Sequence, residues 1–291
     1  MPSSHRFAAS PWDRALAAAQ YPLPQHLLSR MVRAVARSPR PWLRDFLIRR
    51  FIRRYGVDMS EAERPDPRTY RDFNAFFTRP LRGGARPLAG GAGRVLCPVD
   101  CRISQIGPVT AGRILQAKGR RFDVAGLLGD ERLATRFRDG IFATLYLAPH
   151  DYHRVHAPVS GMVTRMIHVP GRLFSVNPAT TRAVPRLFAR NERVVCLLEG
   201  TRGSLAVVLV GAMLVGSIET VWAGEITPPR GRGVHDVSYG TRPPRLEAGA
   251  ELGRFNMGST VIVLAERGLH RRADLCPGQE VRVGERLGDY A

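Results

Sequence analysis

From Arg94 onward the chain is a succession of short apolar, β-branched runs cut by Gly and Pro: RVLCPVDCRISQIG, IFATLYLAP, GMVTRMIHVP, RVVCLLEG, SLAVVLVGAMLVGSIETVW, STVIVLAE and EVRVGERLG. Runs of this length with this punctuation read as strands. They predict a β-rich core, barrel or sandwich, over residues 94–291, with one helical turn near Val124–Leu128. A chain of 291 residues accommodates such a domain of about 200–250 residues together with a helical extension. The expected class is α+β, mainly β.

The extension is residues 1–56. In PQHLLSRMVRAVARS, Leu27, Leu28, Met31, Val32 and Val35 share one helical face, and in RPWLRDFLIRRFIRRYG so do Leu43, Phe46, Leu47 and Phe51. Pro39 and Pro41 separate the two helices. The segment holds eleven arginines against two acids, Asp13 and Asp45, out of a net charge of +19. Basic amphipathic helices carrying Trp42 and several Phe residues fit an interfacial membrane anchor. Amphipathicity alone equally fits a hairpin packed on the main domain with a solvated Arg face, and the arginine density favours the membrane. No RNP, zinc-finger or helix-turn-helix signature supports nucleic acid as the partner. Residues 57–93 read as a polar, Pro-rich connector with a short helix around Thr69–Phe77.

No run approaches the roughly 18 apolar residues that a membrane-spanning helix needs. The first residues lack the basic and apolar regions of a secretory signal, so the cytoplasm is the expected compartment. Four cysteines, Cys97, Cys101, Cys196 and Cys276, form no CxxC pair, against a disulfide framework or a closed zinc site.

Chemistry concentrates in three places. LAPHDYHRVHAPVSG holds His150, His153 and His156, three of the eight histidines. On an extended chain His150 and His156 share a face and His153 points away, an awkward set for zinc. LCPVDCRIS sets Asp100 in a turn after Pro98, which by itself is an ordinary turn former. RFNMGSTVIVL sets Gly258 and Ser259 immediately before an apolar strand, where a glycine ordinarily marks a bulge or turn. Together Asp100, a histidine and Ser259 could form a nucleophilic triad. The Gly-x-Ser-x-Gly elbow of α/β-hydrolases is absent around Ser259.

CPVDCRISQIG, LAPHDYHRVHAPVSG, GRLFSVNP, LFARNERVVCLLE, VGAMLVGSIETVWAG and FNMGSTVIVL, in this order, resemble the membrane-associated, pyruvoyl-dependent phosphatidylserine decarboxylases of bacteria. One departure is Met257, where that family most often has Leu, a swap of similar volume. The resemblance implies that the chain cuts itself between Gly258 and Ser259 into residues 1–258 and 259–291. Ser259 attacks the Gly258 carbonyl, and residue 259 becomes the pyruvoyl cofactor, with no metal and no pyridoxal phosphate. Asp100 and His156 match the family's relay for this step, with His156 as general base. His153 matches the group that assists decarboxylation or protonates the product, and Phe174, Ser175 and Val176 match a loop near the substrate.

The implied reaction converts phosphatidylserine to phosphatidylethanolamine and carbon dioxide through a Schiff base, the electron-sink chemistry of pyridoxal phosphate. Lys118, the chain's one lysine, is expected to be an ordinary surface residue. The implied setting is peripheral, on the cytoplasmic face of the cell membrane. The two chains are expected to associate as a heterodimer, with further dimerisation left open. Two rivals remain from the residues alone: a serine hydrolase acting on membrane lipid through the same three residues, and a non-catalytic anionic-lipid-binding protein.

Overall fold

The computed structural model describes residues 9–117, 119–214, 217–227 and 233–290. Lys118, Val215 and Gly216 of the SLAVVLVGAMLVGSIETVW run, and residues 1–8, 228–232 and 291 lie outside them. The core is a nine-stranded antiparallel sheet. Its path runs His235–Ser238, Gly161–Val169, Arg193–Gly200, Gly203–Val210, Thr260–Ala265, Ile141–Tyr146, Cys101–Pro108 and Glu280–Val281, with Arg245–Leu246 also on the Gly161–Val169 strand.

Antiparallel sheets often alternate apolar and polar residues because one face meets water. Here the central strands are apolar throughout, since both faces are covered. Val207, Leu209, Val261 and Val263 enter one core, and Ala206, Val208, Ile262 and Leu264 enter the other. Strand period two divides consecutive residues between the two cores. The first core is closed by a four-stranded sheet containing Arg154–His156 and Glu251–Phe255 and by a three-stranded sheet containing Arg94–Leu96 and Arg286–Tyr290. The second is closed by short helices, Val124–Leu128, Glu131–Arg136 and Leu187–Arg190 among them. The sandwich expectation therefore holds on one face. The barrel does not form, because the sheet's outer strands, at 235–246 and 280–281, do not pair with each other.

The N-terminal helices are Pro11–Ala18, Gln25–Ala36 and Pro41–Tyr55. Gln25–Ala36 packs with Gln25, Ser29 and Ala36 inward, and its apolar stripe points out: Leu27, Met31 and Val35 are 48%, 58% and 47% exposed. Trp12, Trp42 and Phe46 are exposed as well. The alternative of a hairpin burying its apolar face is thus reversed for this helix. No helix among the described residues is long and apolar enough to cross a membrane.

The third helix is anchored by Ile48 and Phe51 on a small aromatic cluster with Tyr70, Phe73, Phe76 and Phe77. The last three belong to the connector's helix, Phe73–Phe77, N-capped by Asp72, whose side chain accepts from the Ala75 N–H.

Candidate active site

The Thr260–Ala265 strand is central, hydrogen-bonded to Ile141–Tyr146 on one side and Gly203–Val210 on the other. Ser259, just before it, is held by the Leu147 N–H, which donates to the Ser259 carbonyl at 3.0 Å. Its side chain is buried, and its Oγ has no hydrogen-bond partner in the protein. The approach is fixed by Asn256, which accepts from Asn74 Nδ2 at 3.0 Å and donates to Ser217 Oγ at 2.6 Å.

The strained residue at this step is Met257, with φ +106°, not Gly258. A non-glycine residue in that region costs about 1–3 kcal/mol, which the surrounding cluster, including contacts of Met257 itself, must offset. The glycine serves a close approach instead: a Cβ at 258 would meet His153 Cε1 at 3.3 Å and Phe77 Cζ at 4.0 Å.

The three histidines separate because the loop after Tyr146 turns rather than running extended. Asp151 Oδ2 accepts from the Ala148 N–H at 2.6 Å, closing a turn that leaves His150 at the surface. Burial pushes the Asp151 carboxyl up to about 6. His153 is fully buried, its ring stacked on Phe77 with centroids 4.0 Å apart. Its Nε2–H donates to the Pro149 carbonyl at 3.3 Å, and Nδ1 has no partner. Burial drives its pKa down to about 3, so the imidazole is neutral.

His156 ends the Arg154–His156 strand. Its Nδ1–H donates to the Gly249 carbonyl at 2.7 Å, and Nε2 accepts from the Tyr152 hydroxyl at 3.1 Å. Burial lowers its pKa as well, and burial pushes the Tyr152 phenol up to about 12.

Asp100 is buried in its turn but engages neither histidine by a hydrogen bond. Arg86 Nε donates to both of its oxygens at 3.0 Å, Arg86 Nη2 donates to Oδ2 at 2.6 Å, and the Val283 N–H donates to Oδ1 at 2.9 Å. The link to His156 is through the backbone: the His156 N–H donates to the Pro98 carbonyl at 2.8 Å. The fold thus brings Ser259, Gly258 and His153 together and sets Asp100 beside the His156 strand. The hydrogen-bonded series Asp100, His156, Ser259 is not formed.

A cavity of about 200 Å³ opens at Gly258 and Ser259, and Ser175, Val176, Phe77, Tyr55 and Leu214 are among its walls. Phe174 is not: it is fully buried, 4.9 Å from the Tyr21 ring and under Arg190. The loop is pinned by the N-terminal segment, since Gln20 Oε1 accepts from the Ser175 N–H at 2.9 Å and Gln25 Oε1 from the Leu173 N–H at 2.8 Å. Another cavity of about 430 Å³, with Asp100, Arg86, Asp151 and Tyr152 among its lining residues, shares Tyr146 with the first. No group of three His, Cys, Asp or Glu among the described residues is arranged to hold a metal ion.

Phe77, Arg86 and Tyr152 escaped the sequence reading. The sequence signal for the first was the FNAFF run, three phenylalanines in five residues of an otherwise polar connector.

These features define an antiparallel β-sheet protein with a buried serine after a half-buried glycine, the step set against a neutral imidazole and open to a small cavity. The family model described as phosphatidylserine decarboxylase matches residues 73–289, and one described as PSD matches residues 16–56. The chain is 57% identical over 254 residues to a phosphatidylserine decarboxylase proenzyme of Alkalilimnicola ehrlichii, covering 87% of this chain and 88% of that one. It is 57% identical over 256 residues to that of Pseudomonas aeruginosa, with coverage of 87% and 88%. With that of Methylococcus capsulatus it shares 50% identity over 283 residues, 97% of this chain and 98% of the relative. The chain belongs to the phosphatidylserine decarboxylase family.

Proposed function

We propose that this chain decarboxylates phosphatidylserine with a pyruvoyl group made from its own Ser259, after cutting itself between Gly258 and Ser259. The activity, a carboxy-lyase made as a zymogen, is that of its family. A serine hydrolase or a passive lipid binder is not favoured by that membership. The observation that carries the self-processing reading is the setting of the Gly258–Ser259 bond: a buried, unbonded Ser259 Oγ, a strained Met257 before it, and a neutral histidine packed on Gly258.

In the first step Ser259 Oγ attacks the Gly258 carbonyl carbon, the C–N bond breaks, and an ester joins the two residues. Loss of the ester carboxylate with the Ser259 α-proton releases residues 1–258 and leaves a dehydroalanine, which water converts to the ketone with loss of ammonia. The proton of Ser259 needs a base, and the reading gives that role to His156 with Asp100 at its side. Burial keeps His156 neutral, as a base requires, and its backbone bond to Pro98 ties it to the turn of Asp100. Tyr152 is the present partner of Nε2 and has to release it.

A pyruvoyl ketone at position 259 supplies an electron sink for the carboxylate that leaves as carbon dioxide. The site fits it: residue 259 opens on a cavity walled by Ser175, Val176 and Tyr55. His153, packed at Gly258 with a free Nδ1, is the group to move a proton at the reacting carbon. Its neutrality also matters for the leaving carboxylate, because a cation there would stabilise the carboxylate of the bound substrate more than the transition state that loses it.

The small chain would stay attached. Its strands Thr260–Ala265 and Arg286–Tyr290 pair with strands of residues 1–258, and Asp100 accepts from the Val283 N–H, which supports a heterodimer. The exposed Leu27, Met31 and Val35 of one helix and Trp42 and Phe46 of the next support peripheral docking on a membrane surface, where the lipid substrate is confined; the cytoplasmic face is the one the family reading assigns. Ser259→Ala tests the first step: freshly expressed wild-type protein should run as two chains on a denaturing gel, and the variant as one chain of 32.2 kDa.

A further inference from the structure

Phe77 comes from the connector, more than seventy residues before His153, yet its ring is the surface against which that imidazole lies. The two planes are 18° from parallel with centroids 4.0 Å apart, and Phe77 Cζ is 4.0 Å from the place of a Cβ on Gly258. Phe77 is itself held edge-on by Phe51 at 5.7 Å, from the third N-terminal helix. One face of the imidazole therefore meets an aromatic ring and no polar atom. We infer that Phe77 is a positioning residue for the decarboxylation: it holds the His153 ring flat beside residue 259 and keeps water and counter-charge off it, so that the imidazole stays neutral when substrate is bound. The inference rests on the proposed role of His153.

The charges around His153 agree. From the connector Arg79 acts on it, from its own loop His150, and both disfavour a second positive charge. The backbone carbonyl of Pro149 accepts from Nε2–H. No carboxylate is among the groups that govern its titration most strongly, and burial dominates. Removing the Phe77 ring opens the face of the imidazole to the adjoining cavity, which Phe77 also lines. Water there would solvate the imidazolium and restore protonation towards the ordinary value of about 6.5.

The test uses Phe77→Leu, with Phe73→Leu as control. Phe73 is buried in the same aromatic cluster and touches Phe77 with ring centroids 6.1 Å apart, but it is no stacking partner of His153. In the uncleaved Ser259→Ala protein labelled with ¹⁵N-histidine, the His153 signal, assigned by its loss in His153→Gln, should remain neutral at pH 5 in the parent and in Phe73→Leu. In Phe77→Leu it should titrate above pH 5. In the matured enzymes kcat at pH 5.5 relative to pH 7.5 should fall further for Phe77→Leu than for Phe73→Leu, by up to about tenfold, the loss of neutral imidazole between these pH values for a group at about 6.5. A His153 signal unmoved by Phe77→Leu, or one moved equally by Phe73→Leu, overturns the inference. Failure of wild-type protein to mature would overturn the proposed function instead, and the ¹⁵N titration would still decide the part played by Phe77.

Discussion

Two histidines three residues apart occupy opposite settings. His156 is tied at both ring nitrogens, to the Gly249 carbonyl and the Tyr152 hydroxyl, and its strand leans on the turn of Asp100. His153 has one ring nitrogen free, lies flat on Phe77 and abuts Gly258. Both are kept neutral by burial, yet only one is in van der Waals reach of the bond expected to break. The difference teaches that a motif of regularly spaced histidines can be divided by a single turn into a polar-networked residue and an apolar-walled one, with different work open to each.

Replacing the two separately should break the comparison most sharply. His156→Gln is expected to slow self-cleavage by about 100-fold or more, since losing a general base costs on the order of 100- to 10,000-fold. His153→Gln should leave cleavage within about tenfold of wild type while removing about 100-fold from kcat of the matured enzyme. Gel time courses and carbon dioxide release measure the two effects. If His153→Gln is the variant that stops cleavage, the roles are reversed.

Next in size is membrane binding. Trp42 and Phe46 are exposed in the described structure, and burying such a side chain is worth roughly 1.5–3 kcal/mol. The pair Trp42→Ser with Phe46→Ser should weaken sedimentation with anionic vesicles by about 100-fold or more, largely independent of salt. Arginine substitutions in residues 1–56 should instead weaken it in a salt-dependent way. Unchanged binding in both would remove the anchor.

The loop GRLFSVNP offers a smaller contrast. Phe174→Leu should cost about 1–2 kcal/mol of stability, as a core truncation, with KM unchanged, because its ring faces Tyr21 and Arg190. Val176→Ala, on the cavity wall, should change KM. The sequence could place this loop near the substrate by resemblance, but it could not say which side chains of the loop turn inward. That depends on Gln20 and Asn191 gripping its backbone from distant segments.

The same limit governs the rest of what was legible. The β runs and the short helices at Val124–Leu128 and in FNAFF were readable because hydrophobic period and caps are local. The helix Pro11–Ala18 carries its own signal in Ser10 and Asp13, a capping box with Pro11 at its start, but its eight residues are too few for a clear hydrophobic period. Whether the sheet closes depends on its outer strands, which no local pattern encodes. Ser259, Gly258 and the histidines were legible as chemistry. Arg86 on Asp100 and Phe77 on His153 were not, because they arrive from the connector through packing alone.

The smallest expected effect concerns pH and stability. The folded pKa values of His153 and His156 lie below the ordinary value, so the stability they support is present above about pH 6.5 and is lost as pH falls towards the folded values. Thermal melts of Ser259→Ala protein at pH 7.5 and 5.5 should show a drop that His153→Gln reduces. An equal drop in both would argue that His153 is already charged when folded.

The mass of the small chain tests the central claim most directly. Intact-mass analysis of purified wild-type protein should find residues 1–258 and a 33-residue chain, 259–291, whose N-terminus is blocked and gains mass with a carbonyl reagent. A single full-length chain carrying an unmodified Ser259 would contradict it.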